Sequence, residues 1–274
     1  MGSVWKVRRP MKSLRPLLVV LLILSVLALP RESLAAGDKE TVVLLHGLGR
    51  GASAMWPLAS RIEQAGFDVV RIEYDSLGAP PEVILASVAL QIDACCRDLP
   101  NRVHFVGHSL GGLVIRGYLA EHSPLQLGRV VLIASPNAGT PLVDKYRDTW
   151  LMDLAGPTAK TLGTGPLSFP NALPPPNYQV GVIAGVRPAG FVADDGIPGA
   201  DDGLVPLESA KLAGMADFIV VQTNHSLLRY SRQAARQTIA FLRGGAFEHR
   251  PQAATENVAD LQATRPRKSE TGSN

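Results

Sequence analysis

The segment GHSLG at residues 107–111 has the composition of a nucleophile turn. The segment VHFV at residues 103–106 predicts a strand before it, and apolar residues at helical spacing predict a helix from Leu110 to Glu121 after it. A serine between two glycines in such a turn holds its hydroxyl above the sheet, where backbone N–H groups stabilise a developing oxyanion. Ser109 is therefore the candidate nucleophile of an acyl-transfer reaction.

The turn HGLG at residues 46–49 follows the first predicted strand, residues 41–45. A glycine-flanked turn at this place can present a backbone N–H towards Ser109. We expect the N–H groups of Leu48 and Leu110 to form an oxyanion hole together.

A serine nucleophile needs a base. Of the six histidines, His225 is the candidate. It alone follows the last predicted strand, at the same edge of the sheet as the turn that carries Ser109. The other histidines have other predicted places: His46 in the oxyanion turn, His104 in a strand, His108 beside the serine, His122 at a helix end and His249 in the polar tail.

The acid that orients the base should lie between the serine and the histidine in the chain. Asp202, which precedes a glycine turn, is the first candidate. Asp201 is its main rival, and Asp194 and Asp195 are weaker ones in the same loop. The sequence leaves this choice open.

The elements that must position these residues alternate between strands and helices. Strands are predicted at residues 41–45, 69–72, 103–106, 129–134, 180–186 and 218–221, and helices at residues 52–65, 82–96, 110–121 and 226–242. Strands without polar alternation are typical of a sheet covered on both faces. The pattern predicts an α/β fold with a doubly wound, mostly parallel sheet of about six strands and helices on both faces. A short cap insertion is expected at residues 142–178, with one short helix around residues 146–154.

The amino-terminal 36 residues have the layout of a secretory signal peptide. Basic residues end at Arg15, an apolar run covers residues 17–29, and small residues follow. We expect export to the periplasm or the extracellular space, with cleavage after Ala35 or Ala36, or membrane tethering if the leader stays as a signal anchor. The folded α/β domain is expected at residues 37–243 and a disordered polar tail at residues 244–274.

The amino-acid composition argues against several other classes of protein. Apolar residues make up 46% of the 274, which excludes global disorder. Six of the 27 basic residues and one of the 24 acidic residues lie in the leader, so the remaining chain carries a net charge of −2, and nucleic-acid binding has no support. Cys95 and Cys96 are adjacent, and because a bond between them would be strained, we expect one buried and one partly exposed thiol.

The motifs together resemble a lipase-type α/β-hydrolase of the branch that includes bacterial triacylglycerol lipases and inositol-deacylase-like proteins. The matching segments are HGLG at 46–49, GHSLGG at 107–112, SPNAGTP at 135–141, DGLV at 202–205 and NH at 224–225. The resemblance implies the minimal form of the α/β-hydrolase fold, without the first two strands of its full eight-stranded sheet.

The resemblance also implies Ser109 as nucleophile, Asp202 as acid, His225 as base, and Leu48 and Leu110 as oxyanion donors. The function it implies is hydrolysis of carboxylic esters through an acyl-enzyme, with a small-molecule or lipid acyl ester as substrate and no cofactor or metal ion. Contact with a membrane surface and the oligomeric state stay open. The alternatives are an acyltransferase with the same triad and a non-catalytic binding protein of the same fold.

Overall fold

The computed structural model describes Gly2 and residues 39–124, 126–188 and 196–249. Six strands form one sheet: β1 Thr41–Leu45, β2 Asp68–Ile72, β3 Val103–His108, β4 Leu127–Ile133, β5 Val180–Val186 and β6 Asp217–Gln222. The strand order is β2-β1-β3-β4-β5-β6, and every neighbouring pair is parallel. The prediction of a doubly wound parallel sheet of six strands is confirmed.

The helices cover both faces of the sheet. Their bounds are α1 Trp56–Gln64, α2 Pro81–Cys96, α3 Leu110–Glu121, α4 Pro141–Tyr146, α5 Trp150–Lys160, α6 Phe169–Ala172, α7 Leu207–Ala210 and α8 Arg232–Gly244, with 3₁₀ helices at Ala52–Met55 and His225–Tyr230.

Alternate residues of each strand enter two separate apolar cores, as the period of two requires. Val43 and Leu45 of β1 pack with residues of α2 and α3, whereas Val42 and Leu44 pack with residues of α1 and α8. All four side chains are fully buried. Burial on both faces explains why the strands read as continuous β-branched runs.

Two helix predictions are corrected. The helix expected at residues 226–242 is broken, because Ser231 has extended ψ of 126° and its hydroxyl accepts a hydrogen bond from the N–H of Ala234, which begins α8. The insertion at 142–178 holds α4, α5 and α6 instead of one short helix. Within α5, Gly156 has φ of 90° next to Pro157 and divides the helix.

The predicted start of the polar tail at residue 244 is too early. Phe247 is buried against Phe241, and its N–H donates to Asp217 at 2.7 Å. His249 contacts the same carboxylate at 2.8 Å. The domain therefore extends at least to residue 249, because the β6 carboxylate of Asp217 holds this segment. The predicted leader (residues 1–36) lies outside the described residues except for Gly2, as does the remainder of the predicted tail.

Cys95 and Cys96 are joined by a disulfide at the end of α2. The expectation of two thiols is wrong because the side chains of neighbouring residues can bring their sulfur atoms into bonding contact although their Cα atoms are only 3.7 Å apart. In the part of the chain that the structure describes, no helix has both the length and the apolar character that a membrane span requires.

Candidate active site

The predicted site residues meet at the carboxyl edge of the sheet, where the winding of the chain reverses. β1 lies between β2 and β3, so the connections from β1 and from β3 leave on opposite faces of the sheet. Leu45 is aligned with Gly107, and this register places the turn after β1 beside the turn after β3. Binding sites of open parallel sheets form at such a crevice.

Ser109 occupies a strained turn between β3 and α3. Its φ of 56° and ψ of −122° lie outside the regions that ordinary residues prefer, at a typical cost of about 1–3 kcal/mol. The flanking glycines are required by close packing. A Cβ at Gly107 would lie 2.4 Å from the N of Gly112, and one at Gly111 would lie 2.3 Å from the carbonyl oxygen of Leu45. This packing holds the serine in its conformation.

His225 contacts Ser109, although the two residues are 116 positions apart in the sequence. Its Nε2 lies 2.9 Å from the Ser109 Oγ. The backbone of His225 is fixed by its N–H, which donates to the carbonyl of Asp202 at 2.8 Å, and Asn224 caps the 3₁₀ helix that begins there by accepting from the N–H of Leu227. The imidazole is therefore held at the serine from both its backbone and its ring.

Asp202 is the carboxylate that contacts the imidazole. Its Oδ2 lies 2.8 Å from His225 Nδ1, and its Oδ1 accepts from the N–H groups of Leu204 at 3.0 Å and Val205 at 2.8 Å. These two bonds close a turn around Gly203, whose φ is 99°. The backbone of the DGLV segment thus bonds to Oδ1 of Asp202 and leaves Oδ2 facing the histidine.

Asp201, the main rival for the acid, has other partners. Asp201 turns away from the histidine and pairs with Arg187 at 2.7 Å, and its second oxygen accepts from the N–H of Gly203 at 2.6 Å. Asp194 and Asp195 fall in residues 189–195, outside the described part of the chain. Of Asp201 and Asp202, only Asp202 touches His225.

These contacts define the proton positions. The Asp202 carboxylate can only accept, so Nδ1 of His225 carries the proton and Nε2 is the acceptor that faces the Ser109 hydroxyl. Asp202 is 1% exposed and His225 6% exposed, so water competes little for either group. A buried acceptor nitrogen at 2.9 Å is placed to take a proton from a serine that attacks an electrophile.

The two predicted oxyanion donors border Ser109. Leu110 is the first residue of α3, so its N–H has no acceptor inside the helix. Leu48 and Gly47 line the same cavity as Ser109, and a Cβ at Gly47 would lie only 3.1 Å from the Ser109 Cβ. A glycine at position 47 therefore allows the turn after β1 to approach the serine.

Tyr74 supports this turn, and no pattern in the sequence marked it as a residue of the site. Its ring stacks on His46 with centroids 4.0 Å apart, and its buried hydroxyl donates to the His46 carbonyl. Burial raises the pKa of Tyr74, so the hydroxyl keeps the proton that it donates.

His108 is a second residue that the sequence analysis missed. Its Nε2 donates to the carbonyl oxygen of His225 at 3.0 Å, which links the nucleophile turn to the backbone of the base. Burial, and then repulsion from His225 whenever that ring is protonated, lower the pKa of His108 to about 3, so the His108 ring is neutral near pH 7. Its position next to the serine was the only available signal.

A cavity of about 270 Å³ opens beside these residues. On the side of the cap, its wall is apolar and includes Leu142, Val143, Met152, Ala155 and Ala159 from α4 and α5. Among the described residues, no group of three or more His, Cys, Asp or Glu side chains is arranged to hold a metal ion.

Comparisons with known proteins show which fold the chain shares and which proteins it is similar to. The chain has the fold of the α/β-hydrolases. The sequence model of the palmitoyl protein thioesterase family matches residues 41–166, a range that contains both turns but ends before Asp202 and His225.

Individual relatives are named as hydrolases. The chain is 34% identical over 134 residues to a protein of Variovorax paradoxus named as the carbamate hydrolase RutD, a match that covers 44% of this chain and 48% of RutD. It is 25% identical to the pimeloyl-[acyl-carrier protein] methyl ester esterase of Vibrio campbellii, over 69% of this chain and 89% of that enzyme.

The mature lipase BlEst2 of Bacillus licheniformis has a similar structure. Its TM-score is 0.63 at 21% identity, and the match covers 74% of this chain and 91% of the lipase. At this identity the likeness shows the fold. The three relatives have hydrolase names in common, while their named substrates differ.

Proposed function

We propose that this protein is a serine hydrolase that cleaves carboxylic esters through an acyl-enzyme on Ser109. The observation that carries the proposal is the chain of contacts from Ser109 Oγ to His225 Nε2 at 2.9 Å and from His225 Nδ1 to Asp202 Oδ2 at 2.8 Å. The esterase, lipase and thioesterase names of the relatives support the same reaction class.

In the first step, His225 takes the hydroxyl proton while Ser109 Oγ attacks the ester carbonyl carbon. The N–H groups of Leu48 and Leu110 stabilise the oxyanion. Asp202 keeps the imidazole oriented and stabilises its positive charge. His225 then gives the proton to the leaving alcohol. In the second step, His225 activates water, which releases the acid and restores Ser109.

We expect the acyl chain of the substrate to lie in the cavity beside Ser109. The apolar residues of α4 and α5 form a wall that suits a hydrocarbon chain. A thioester has the same electrophilic carbonyl, so the family match to thioesterases makes thioesters the second substrate type to measure.

Export and contact with lipid are parts of the same proposal. The leader at residues 1–36 has the signal-peptide pattern, and the outer face of α5 carries exposed Trp150, Leu151 and Leu154. An exposed apolar patch beside the cavity suits contact with a membrane surface or a lipid aggregate.

The direct test replaces the nucleophile. Ser109→Ala should lower kcat for p-nitrophenyl butyrate by about 10⁴–10⁶-fold, because a catalytic triad acts as a unit. Ser123→Ala is the matched control, since Ser123 is exposed at the opposite edge of the sheet and should keep the wild-type rate. Equal rates for Ser109→Ala and the wild type would contradict the proposal.

Product analysis separates the alternatives. A hydrolase releases free butyrate when an alcohol such as glycerol is added, whereas an acyltransferase forms the glycerol ester instead. A non-catalytic binding protein shows no hydrolysis that depends on Ser109.

A further inference from the structure

A buried arginine lines the cavity beside the base. Arg229 is 6% exposed, and its Nε has no hydrogen-bond partner within residues 39–124, 126–188 and 196–249. Its guanidinium lies 4.5 Å from the ring centroid of Tyr230, and one terminal nitrogen donates to the Tyr230 hydroxyl at 3.2 Å. Across those same ranges, no carboxylate lies within ion-pair distance of Arg229.

A second arginine lines the same cavity. Arg50 is exposed, lies two residues beyond Leu48, and has no carboxylate partner in the described part of the chain. The positive charges of both arginines also contribute to the low pKa of His108, after burial and the charge of His225, which indicates that both guanidinium groups lie near the nucleophile turn.

A buried guanidinium without an anionic partner among the described residues is unusual, because charged side chains are seldom buried unless an opposite charge lies beside them. The usual partner is an anion that accepts hydrogen bonds from the planar guanidinium group. The neighbouring segments that the structure describes do not provide one: Asp202 is committed to His225, and Asp201 to Arg187. The missing partner is therefore an anion that enters the cavity.

The position of Arg229 identifies the half of the substrate that carries this anion. Arg229 lies four residues after His225 on the same 3₁₀ helix. Because His225 protonates the leaving group, the alcohol or thiol half of the substrate lies towards this helix. The apolar wall from α4 and α5 remains for the acyl half.

We propose that Arg229, assisted by Arg50, binds an anionic group, a carboxylate or a phosphate, on the alcohol or thiol half of the substrate. The preferred substrate is then an acyl ester with an apolar acyl chain and a negatively charged leaving group. This inference rests on the proposed function, and it assigns a substrate class that the triad alone leaves open.

The test compares esters that share one acyl chain and differ in the charge of the leaving group. The anionic substrates are 4-(butanoyloxy)benzoate and 4-(butanoyloxy)phenyl phosphate, and the neutral one is 4-(butanoyloxy)benzamide. The wild type should prefer the anionic esters in kcat/KM. The better of the two distinguishes a carboxylate site from a phosphate site.

Arg229→Gln should lower the ratio of anionic to neutral kcat/KM by roughly ten- to a hundred-fold, the usual effect of losing a hydrogen bond to a charged group. Arg229→Lys should lose part of the preference because it keeps the charge but not the planar donor pair. Arg50→Gln should have a smaller effect in the same direction, since this side chain is exposed. Arg232→Gln, an exposed cation three residues beyond Arg229, is the control and should keep the wild-type ratio.

An unchanged ratio in Arg229→Gln would overturn the inference, because a structural role through Tyr230 lowers activity on both kinds of ester equally. Calorimetric binding of 4-(butanoyloxy)benzoate to Ser109→Ala separates the two proposals. If no ester is hydrolysed but binding still depends on Arg229, the anion site stands and the hydrolase proposal fails. If Ser109 hydrolyses the esters with no dependence on charge, the hydrolase stands and the anion site fails.

Discussion

The two edges of the sheet each hold a cavity, and Ser109 and His225 line the smaller of the two. The cavity at the amino edge has a volume of about 340 Å³ and the one at the carboxyl edge about 270 Å³. The amino-edge cavity also contains polar groups, and the side-chain contacts of His122 and Asp93 are made to residues four positions away in the sequence. His122 bonds to the Tyr118 carbonyl four residues before it, and Asp93 pairs with Arg97.

At the carboxyl edge, the contacts join distant segments of the chain. Ser109 and His225 are 116 residues apart, and His225 and Asp202 are 23 residues apart. All three follow the carboxyl ends of parallel strands, which meet at one edge. The convergence of distant polar groups, and not the volume of the cavity, therefore distinguishes the carboxyl edge from the amino edge.

The largest expected effect within this comparison concerns the adjacent aspartates. Asp202→Asn should lower kcat for p-nitrophenyl butyrate by about 10²–10⁴-fold, because an amide can favour the wrong tautomer of His225. Asp201→Asn should lower it by less than about tenfold, since Asp201 acts on the loop through Arg187. Steady-state kinetics of the two variants measure the difference. Equal losses would mean that the loop, and not the carboxylate contact, governs activity.

A smaller effect concerns the pH dependence of stability. Burial lowers the pKa of His108 to about 3 in the folded protein, whereas an unfolded histidine has a pKa near 6.5. Between these pH values the unfolded state binds more protons, so stability falls as the pH falls below about 6.5. From pH 7 to pH 5, His108 should contribute a loss of about 2 kcal/mol to the wild type.

His108→Gln should remove this loss, because glutamine does not titrate, while its amide can still donate to the His225 carbonyl. Urea unfolding at the two pH values measures the change, and Ser123→Ala should keep the wild-type dependence. The same pH dependence in His108→Gln and the wild type would show that His108 does not carry the effect.

The smallest effect is expected at the amino edge and should leave catalysis unchanged. Phe105 is fully buried in β3 and lines the larger cavity. Phe105→Leu should lower the free energy of unfolding by about 1–2 kcal/mol through lost packing, with kcat/KM unchanged below the melting temperature. Thermal denaturation and kinetics on one sample measure both. A large loss of activity in the folded variant would show that packing at the amino edge affects the reaction at the carboxyl edge.

Local patterns predicted much of the fold. β1 and β5 have the predicted bounds, since continuous β-branched runs identify buried strands. The break at Ser231 was missed because serine at a helix start leaves the apolar spacing intact. Phe247 was missed because its burial depends on Asp217, a partner 30 residues away in the sequence.

The site shows the same limit. GHSLG and HGLG are local signals, so Ser109 and the oxyanion turn could be found from the sequence. The choice between Asp201 and Asp202 could not, because both precede the same glycine turn and only their partners differ. Tyr74 and Arg229 lie in no motif, and their contacts exist only in the folded chain.

Covalent labelling with a fluorophosphonate tests the central claim most directly, because this reagent phosphonylates a serine that a base has activated. We expect one adduct by intact mass, on the peptide that contains Ser109, and none in Ser109→Ala. Labelling of Asp202→Asn should be slowed strongly. A wild-type protein that stays unlabelled, or that carries its adduct on another residue, would contradict the account.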